Sequence, residues 1–405
     1  MKYFSEKISR GFISIYSSRV ILRIAASLLG LFLPIFLYET FNYRIEYVIY
    51  YYMAGYILYV ITVAKGVKFL NKIGLRRSIK ISIAWLALYY FCFYFIDRYN
   101  LNFHSGINLK LFLILVISVL FINLHRIMYW TPVHTDIAKF TNKKDRGKEL
   151  SLLESTTIFL TAIMPLVAGW IIWQYSYEVL FLIAIIIFFI SLLPLIYLPR
   201  TEERFSWGYF QTWKEFFSKK RRRTVLAFMN DGAENAFTIV IWPIFIFGLL
   251  EGNYFEAGLI TSLVVFLTVI LQLFVGKNLD LKDKKNILKH GTWFYSIGWI
   301  IKIFISSAFH IFIVSTYHSL SRIFTRTPFD SLIYEKAADQ GHFVDEFTVI
   351  HEMAIGAGRI VILSIVLLLL PYIGLNWTFV FAALTTLGMN FMTEDHIIEK
   401  GRHAG

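Results

Sequence analysis

Cysteine is almost missing from this chain: among 405 residues only Cys92 is present, inside an apolar run. That excludes an intramolecular disulfide and a cysteine-held metal cluster. Charge is scarce too, at 17% of residues, and acidic side chains are the scarcer sign, 27 Asp and Glu against 40 Lys and Arg. No zinc-protease helix motif, phosphate-binding loop or glycine-flanked nucleophilic serine is found, so no enzyme class and no cofactor is indicated. His134 and Asp136, two residues apart, are the faint exception, a weak hint of metal or acid-base chemistry. The N-terminus carries Lys2, Lys7, Arg10 and Arg19 but no short apolar region followed by a small-residue cleavage site. It reads as an uncleaved lead-in to the first apolar run.

What is abundant is apolar: 57% of residues are hydrophobic and 18% aromatic. Water would not keep such a chain monomeric, whereas a bilayer needs only about 20 mostly apolar residues per crossing of roughly 30 Å. Apolar runs read against breakers place helices near 20–38, 45–64, 79–96, 109–130, 156–174, 178–198, 225–248, 255–275, 290–307, 309–326, 354–373 and 376–392. The expected fold class is an all-α membrane protein of twelve transmembrane helices.

Basic residues gather in every second loop: Lys65 to Arg77, Lys139 to Lys148, Lys277 to Lys289, and above all Lys219 to Arg223 in the long connection 199–224. The positive-inside rule places these loops and both termini in the cytoplasm of a plasma or inner membrane. The formal net charge of +13 is thus spent facing anionic lipid headgroups, and no nucleic acid is expected as a partner. The same connection divides the chain into a six-helix bundle over 1–198, a basic cytoplasmic linker over 199–224 and a second bundle over 225–405.

An internal repeat supports the division. The fourth apolar span ends Leu124-His-Arg126-Ile127-Met-Tyr-Trp-Thr131-Pro132, and the tenth ends Leu320-Ser-Arg322-Ile323-Phe-Thr-Arg-Thr327-Pro328. Leu, Arg, Ile, Thr and Pro coincide at one offset of 196 residues. Apolar helices often match by chance, but seldom in an arginine and a Thr-Pro at fixed spacing. Both copies run outside to inside, so the halves are parallel repeats, related by a pseudo-two-fold axis along the membrane normal.

These residues resemble the major facilitator superfamily. Its signature between spans two and three is similar to Gly66-Val-Lys-Phe-Leu-Asn71-Lys72-Ile-Gly74-Leu-Arg76-Arg77, with Asn71 in place of an acidic residue and one residue inserted. The loop between spans eight and nine, Gly276-Lys-Asn-Leu-Asp280, keeps the glycine-to-aspartate spacing, and Asp136 with Asp145-Arg146-Gly147 resembles the loop that opens span five. Pro165 to Gly169 has the spacing of the antiporter motif, with Met164 where the family has glycine. The resemblance implies a conformational latch at Gly66, Asn71, Gly74, Arg76, Gly276, Asp280, Asp136 and Arg146. It also implies that spans one, four, seven and ten line a central cavity.

Charges within hydrocarbon are costly, so each marks a candidate functional group. Span seven carries Asp231, Glu234, Asn235, Thr238 and Trp242, which share about a third of the helix circumference at 3.6 residues per turn. The carboxylates lie roughly 9 to 14 Å inside a helix starting near Val225. A carboxylate removed from water suits a proton-coupled cycle. Span ten supplies His318, Ser321, Arg322 and Thr325, and span four supplies His125 and Arg126. Arg322 is the expected partner of Asp231 or Glu234, while Lys302 and Arg359 are expected to snorkel to opposite surfaces. Pro34 is expected to bend span one, beside Ser27 and Gly30, and Tyr50, Tyr51 and Tyr52 to belong to an interfacial belt. The reading is a monomeric secondary transporter of a small-molecule substrate, with protons as coupling ion and the lipid bilayer as surroundings. The alternative is a transporter-like sensor that binds a ligand without moving it.

Overall fold

The computed structural model describes residues 8–103, 108–140, 156–199, 205–278, 283–338 and 344–396. Asp280 and Arg146 lie outside the described residues, as do the side chain of His134 and the Glu149 end of the repeat. The described residues form helices and short connections. The helices are α1 (Arg10–Gly30), α2 (Phe32–Thr40), α3 (Ile45–Ile73), α4 (Leu75–Arg98), α5 (Leu109–Phe140), α6 (Met164–Gln174), α7 (Tyr177–Ile190) and α8 (Tyr209–Phe216). They continue as α9 (Arg222–Ala236), α10 (Trp242–Leu249), α11 (Tyr254–Asn278), α12 (Lys284–Lys302), α13 (Ala308–Ala338), α14 (Val344–Leu369) and α15 (Phe379–Gly388). Among the described residues nine helical stretches are long and apolar enough to cross a bilayer. Of the other expected spans, 290–307 is helical only as far as Lys302, 309–326 lies within α13, and 376–392 is divided between the ten-residue α15 and 3-10 turns on either side. Charge at the ends of α12 and polar residues along α13 dilute the apolar runs of those two helices.

Local sequence explains where helices begin and break. Ser9 caps α1 by accepting the Phe12 amide at 3.0 Å, Ser176 caps α7, and Asp283 caps α12 by accepting Asn286 N at 3.2 Å. Pro34 lacks an amide hydrogen and its ring crowds the carbonyl of Gly30, so the first span breaks at Leu31 as expected of this proline. Gly74 has φ of 83°, the left-handed backbone that lets α3 turn directly into α4.

Hydropathy located the apolar bodies of these helices and not their ends. The apolar runs of spans four and ten stop at Pro132 and Pro328, yet α5 and α13 continue through both prolines to Phe140 and Ala338. Backbone hydrogen bonding outlasts the apolar run, and a proline inside a long helix kinks it more readily than it stops it. The connection 199–224 is likewise not plain linker, because it contains α8, which packs against α14.

The chain separates into two compact units, residues 1–206 with 252–262, and residues 207–251 with 263–405. In the first, α4 packs on α5 and α7, and α1 on α6 and α7. In the second, α12 packs on α13 and α15, and α9 on α14 and α15. Each of these pairs in one unit has its counterpart in the other, so the repeat is one of packing as well as of sequence. Large apolar side chains on one stripe of α5, Phe112, Leu113, Val116, Ile117 and Leu120, are 41–49% exposed. Such a stripe suits contact with lipid tails. Of the three tyrosines expected in an interfacial belt only Tyr50 is exposed. Tyr51 and Tyr52 are buried, Tyr51 bonding Ser118 at 2.8 Å, because consecutive helical residues point to different faces.

Candidate functional site

The polar stripe of the seventh span lies on α9 and its continuation. After Ala236 the helix widens into a π-helical segment, Phe237–Ile241, where the Trp242 amide donates to the Phe237 carbonyl five residues back. Pro243 follows at the start of α10 and denies the segment a regular ladder. Asp231 and Glu234 sit one turn apart and are 4% and 0% exposed. Both face Arg326 of α13, which pairs with Asp231 and lies 3.7 Å from Glu234 Oε2. Glu234 Oε1 also accepts hydrogen bonds from Tyr295 at 2.6 Å and Thr238 at 3.0 Å. The expected partner, Arg322, is therefore one helical turn out. It makes no ion pair with either carboxylate, and its buried Nε has no hydrogen-bond partner.

Lys302 and Arg359 do not snorkel. Lys302 is 2% exposed, and its ammonium lies 3.9 Å from the ring centre of Trp242, 4.0 Å from that of Trp299 and 3.2 Å from His318 Nδ1. Two desolvated cation–π contacts, each worth about 2 kcal/mol, and a hydrogen bond offset the several kcal/mol lost on burying the charge. Nearness to the end of an apolar run favours snorkelling only where no aromatic face lies beneath the lysine, and here two do. Arg359 donates to Asn235 Oδ1 at 2.6 Å, which turns it inward and gives Asn235 a role in holding α14. Close backbone approach makes that contact possible. A methyl on Gly358 would collide with the Met229 carbonyl, and one on Gly232 with that of Ile355.

In the first unit, Arg126 lies over the rings of Tyr56 and Tyr59, 5.0 and 6.0 Å from their centres. His125 is buried, stacks on Tyr129 and bonds the Ser82 carbonyl at 2.8 Å through Nδ1. It joins α4 to α5. The latch candidates sit at the end of α3 and beyond. Asn71 exchanges two 3.0 Å hydrogen bonds with the backbone of Phe205, and Arg76 donates to the Ile196 carbonyl at 2.6 Å, so each grips main chain rather than the other. Gly66 faces Ile127, Asp136 is fully buried, and Gly276 lies near the end of α11.

Three site residues escaped the sequence reading. Arg326 was overshadowed by the repeat, which singled out Arg126 and Arg322; the repeat position of Arg326 in the first half is Trp130. Tyr295 and Trp299 were legible, since Gly291, Tyr295, Trp299 and Lys302 recur at helical spacing on one face of α12. Ion pairs and hydrogen bonds thus join Arg326, Asp231, Glu234, Tyr295 and Thr238 within the second unit. Lys302, His318, Trp242 and Trp299 form a second cluster there.

Comparison with known proteins agrees with this architecture. No curated protein matches the chain in sequence. Among solved structures it is similar to that of a bacterial homologue of the human drug peptide transporters PepT1 and PepT2, with a TM-score of 0.67 over 99% of this chain and 100% of that one. At 10% identity the likeness is one of fold. The family model of the Major Facilitator Superfamily matches residues 15–344, most of the sequence, and the chain belongs to that superfamily.

Proposed function

We propose that the chain is a proton-coupled secondary transporter of a small organic solute bearing an anionic group, working by alternating access in the plasma or inner membrane. The observation that carries the reading is the buried cluster of Asp231, Glu234 and Arg326. Two carboxylates one turn apart share one guanidinium, so Arg326 can be matched by either of them alone. One carboxylate can take a proton without leaving the arginine unpaired, which is the property of a coupling site. Arginine keeps its proton throughout and serves as the fixed charge.

The sign of the solute follows from which cations the carboxylates leave over. Among the described residues neither Arg126 nor Arg322 forms an ion pair with a carboxylate, although both occupy the same position of the repeat. A guanidinium in a membrane helix is costly unless something anionic visits it, and its planar fork fits a carboxylate or phosphate. The proposal includes twelve spans, with α12, α13 and α15 completing the count, cytoplasmic termini, bundles over 1–198 and 225–405, a monomeric state, and the latch at Gly66, Asn71, Gly74, Arg76, Asp136, Arg146, Gly276 and Asp280. His318 and Trp242 belong to the pathway through their contacts with Lys302.

A thermal-shift screen of organic acids and amines across pH, on the full chain in detergent, tests the sign of the solute. Ligand bound only by the folded state raises the midpoint. The expected result is a shift given by an acid that disappears in Arg322→Gln or Arg126→Gln and survives in Asp231→Asn. A shift given only by amines, and lost in Asp231→Asn, contradicts it.

A further inference from the structure

α12 and α13 bring two basic nitrogens together deep in the second unit. Lys302 Nζ stands 3.2 Å from His318 Nδ1, and the two residues are 2% and 6% exposed. Between two such nitrogens at hydrogen-bond distance lies one hydrogen: with Lys302 as an ammonium it is the lysine that donates and Nδ1 that accepts, and the histidine's own hydrogen is then on Nε2. Nε2 is buried with no hydrogen-bond partner. Aromatic faces close the remaining sides. Tyr295 stacks on the imidazole at 4.4 Å, Trp299 meets it edge-on at 4.7 Å, and the rings of Trp242 and Trp299 cover the ammonium. A second proton would put two positive charges about 3 Å apart with little water to screen them, so the pair holds one.

The ionisable groups around the pair are few. α9 presents Glu234, joined to the pair through Tyr295, which donates to it at 2.6 Å and stacks on His318, and Asp231, which pairs with Arg326. α13 presents Arg322 and, one turn further, Arg326. α12 adds Tyr295, already bonded to Glu234. α15 has no ionisable residue and contributes Phe379 against Trp299 and Trp242. On α14, Arg359 faces Asn235 and His351 faces Phe228. Glu234 is thus the carboxylate that compensates the pair's charge.

We propose that Lys302 and His318 form a proton-binding site of their own, holding a single proton between Nζ and Nδ1, with an occupancy that follows the charge of Glu234. When Glu234 is ionised the pair keeps its proton; when Glu234 is neutral the compensating charge is gone and the proton is held less firmly. The site rests on the geometry of one unit and does not require that the protein transports anything.

Nitrogen NMR of the full chain in lipid nanodiscs, labelled at histidine and lysine nitrogens, tests this in the absence of any solute. His318→Gln identifies the histidine signals by subtraction, and Lys302→Met those of the lysine. Near neutral pH the expected result is a Lys302 ammonium correlated through its hydrogen with His318 Nδ1, and a hydrogen on Nε2. In Glu234→Gln, which keeps acceptors for Tyr295 and Thr238, that correlation loses most of its intensity and the ammonium signal falls. A His318 that carries its hydrogen on Nδ1, uncorrelated with Lys302, overturns the shared site. An ammonium population unchanged in Glu234→Gln overturns its link to the carboxylate. Both outcomes are independent of whether flux is ever observed.

Discussion

A guanidinium shared by two carboxylates responds differently to the loss of each partner. Removing Arg326 leaves Asp231 and Glu234 buried without a cation, and breaking a buried pair in this way costs about 3–5 kcal/mol. Because Arg326 is 22% exposed, Arg326→Gln is expected near the lower end, read as a lowered unfolding midpoint in detergent. Neutralising both acids as well, in Asp231→Asn, Glu234→Gln, Arg326→Gln, restores most of it. Arg322→Gln is expected to change stability by no more than about 0.5 kcal/mol, since it breaks no ion pair with a carboxylate. A larger loss in Arg322→Gln than in Arg326→Gln would mean that the carboxylates pair with the wrong turn of α13. The acidic stripe itself was legible, because 3.6-residue periodicity places Asp231, Glu234, Thr238 and Trp242 on one face without knowledge of neighbours. Its partner was not. Arg322 and Arg326 share a face one turn apart, and only the axial offset between α9 and α13 chooses between them.

At the scale of elements, α9 and α14 approach so closely that glycine is required at two points. A methyl at Gly358 would stand 1.8 Å from the Met229 carbonyl oxygen, whereas one at Gly248 would meet nothing within 4 Å. Gly358→Ala is therefore expected to lower stability by about 1–3 kcal/mol through forced separation of the helices. Gly248→Ala is expected to be neutral or slightly stabilising, by up to about 1 kcal/mol, through the unfolded chain. Equal midpoints for the two variants would contradict the packing of α9 on α14. The apolar bodies of the spans were readable from sequence, as were the break near Pro34 and the turn at Gly74. The π-helical widening at Phe237–Ile241 was not, since Pro243 announces an irregularity without saying which form it takes. The fate of Lys302 was equally hidden, because snorkelling and an aromatic cage start from the same position in the sequence and differ only in which rings lie within reach.

For the whole molecule, the repeat of Arg126 and Arg322 at a fixed offset carried the two-part architecture, and the matching helix pairs in each unit bear the same pattern. What the repeat does not share is as informative. Arg326 stands where the first half has Trp130, so the carboxylate cluster belongs to the second unit alone. On the proposed function, this cluster couples solute movement to protons. Proteoliposomes enclosing a pH-sensitive dye, given an acidic outer bath and a membrane-impermeant organic acid, test it most directly. The expected result is solute-dependent acidification of the interior by the wild type and its loss in Glu234→Gln. Solute uptake without acidification, or acidification that Glu234→Gln leaves unchanged, would contradict it.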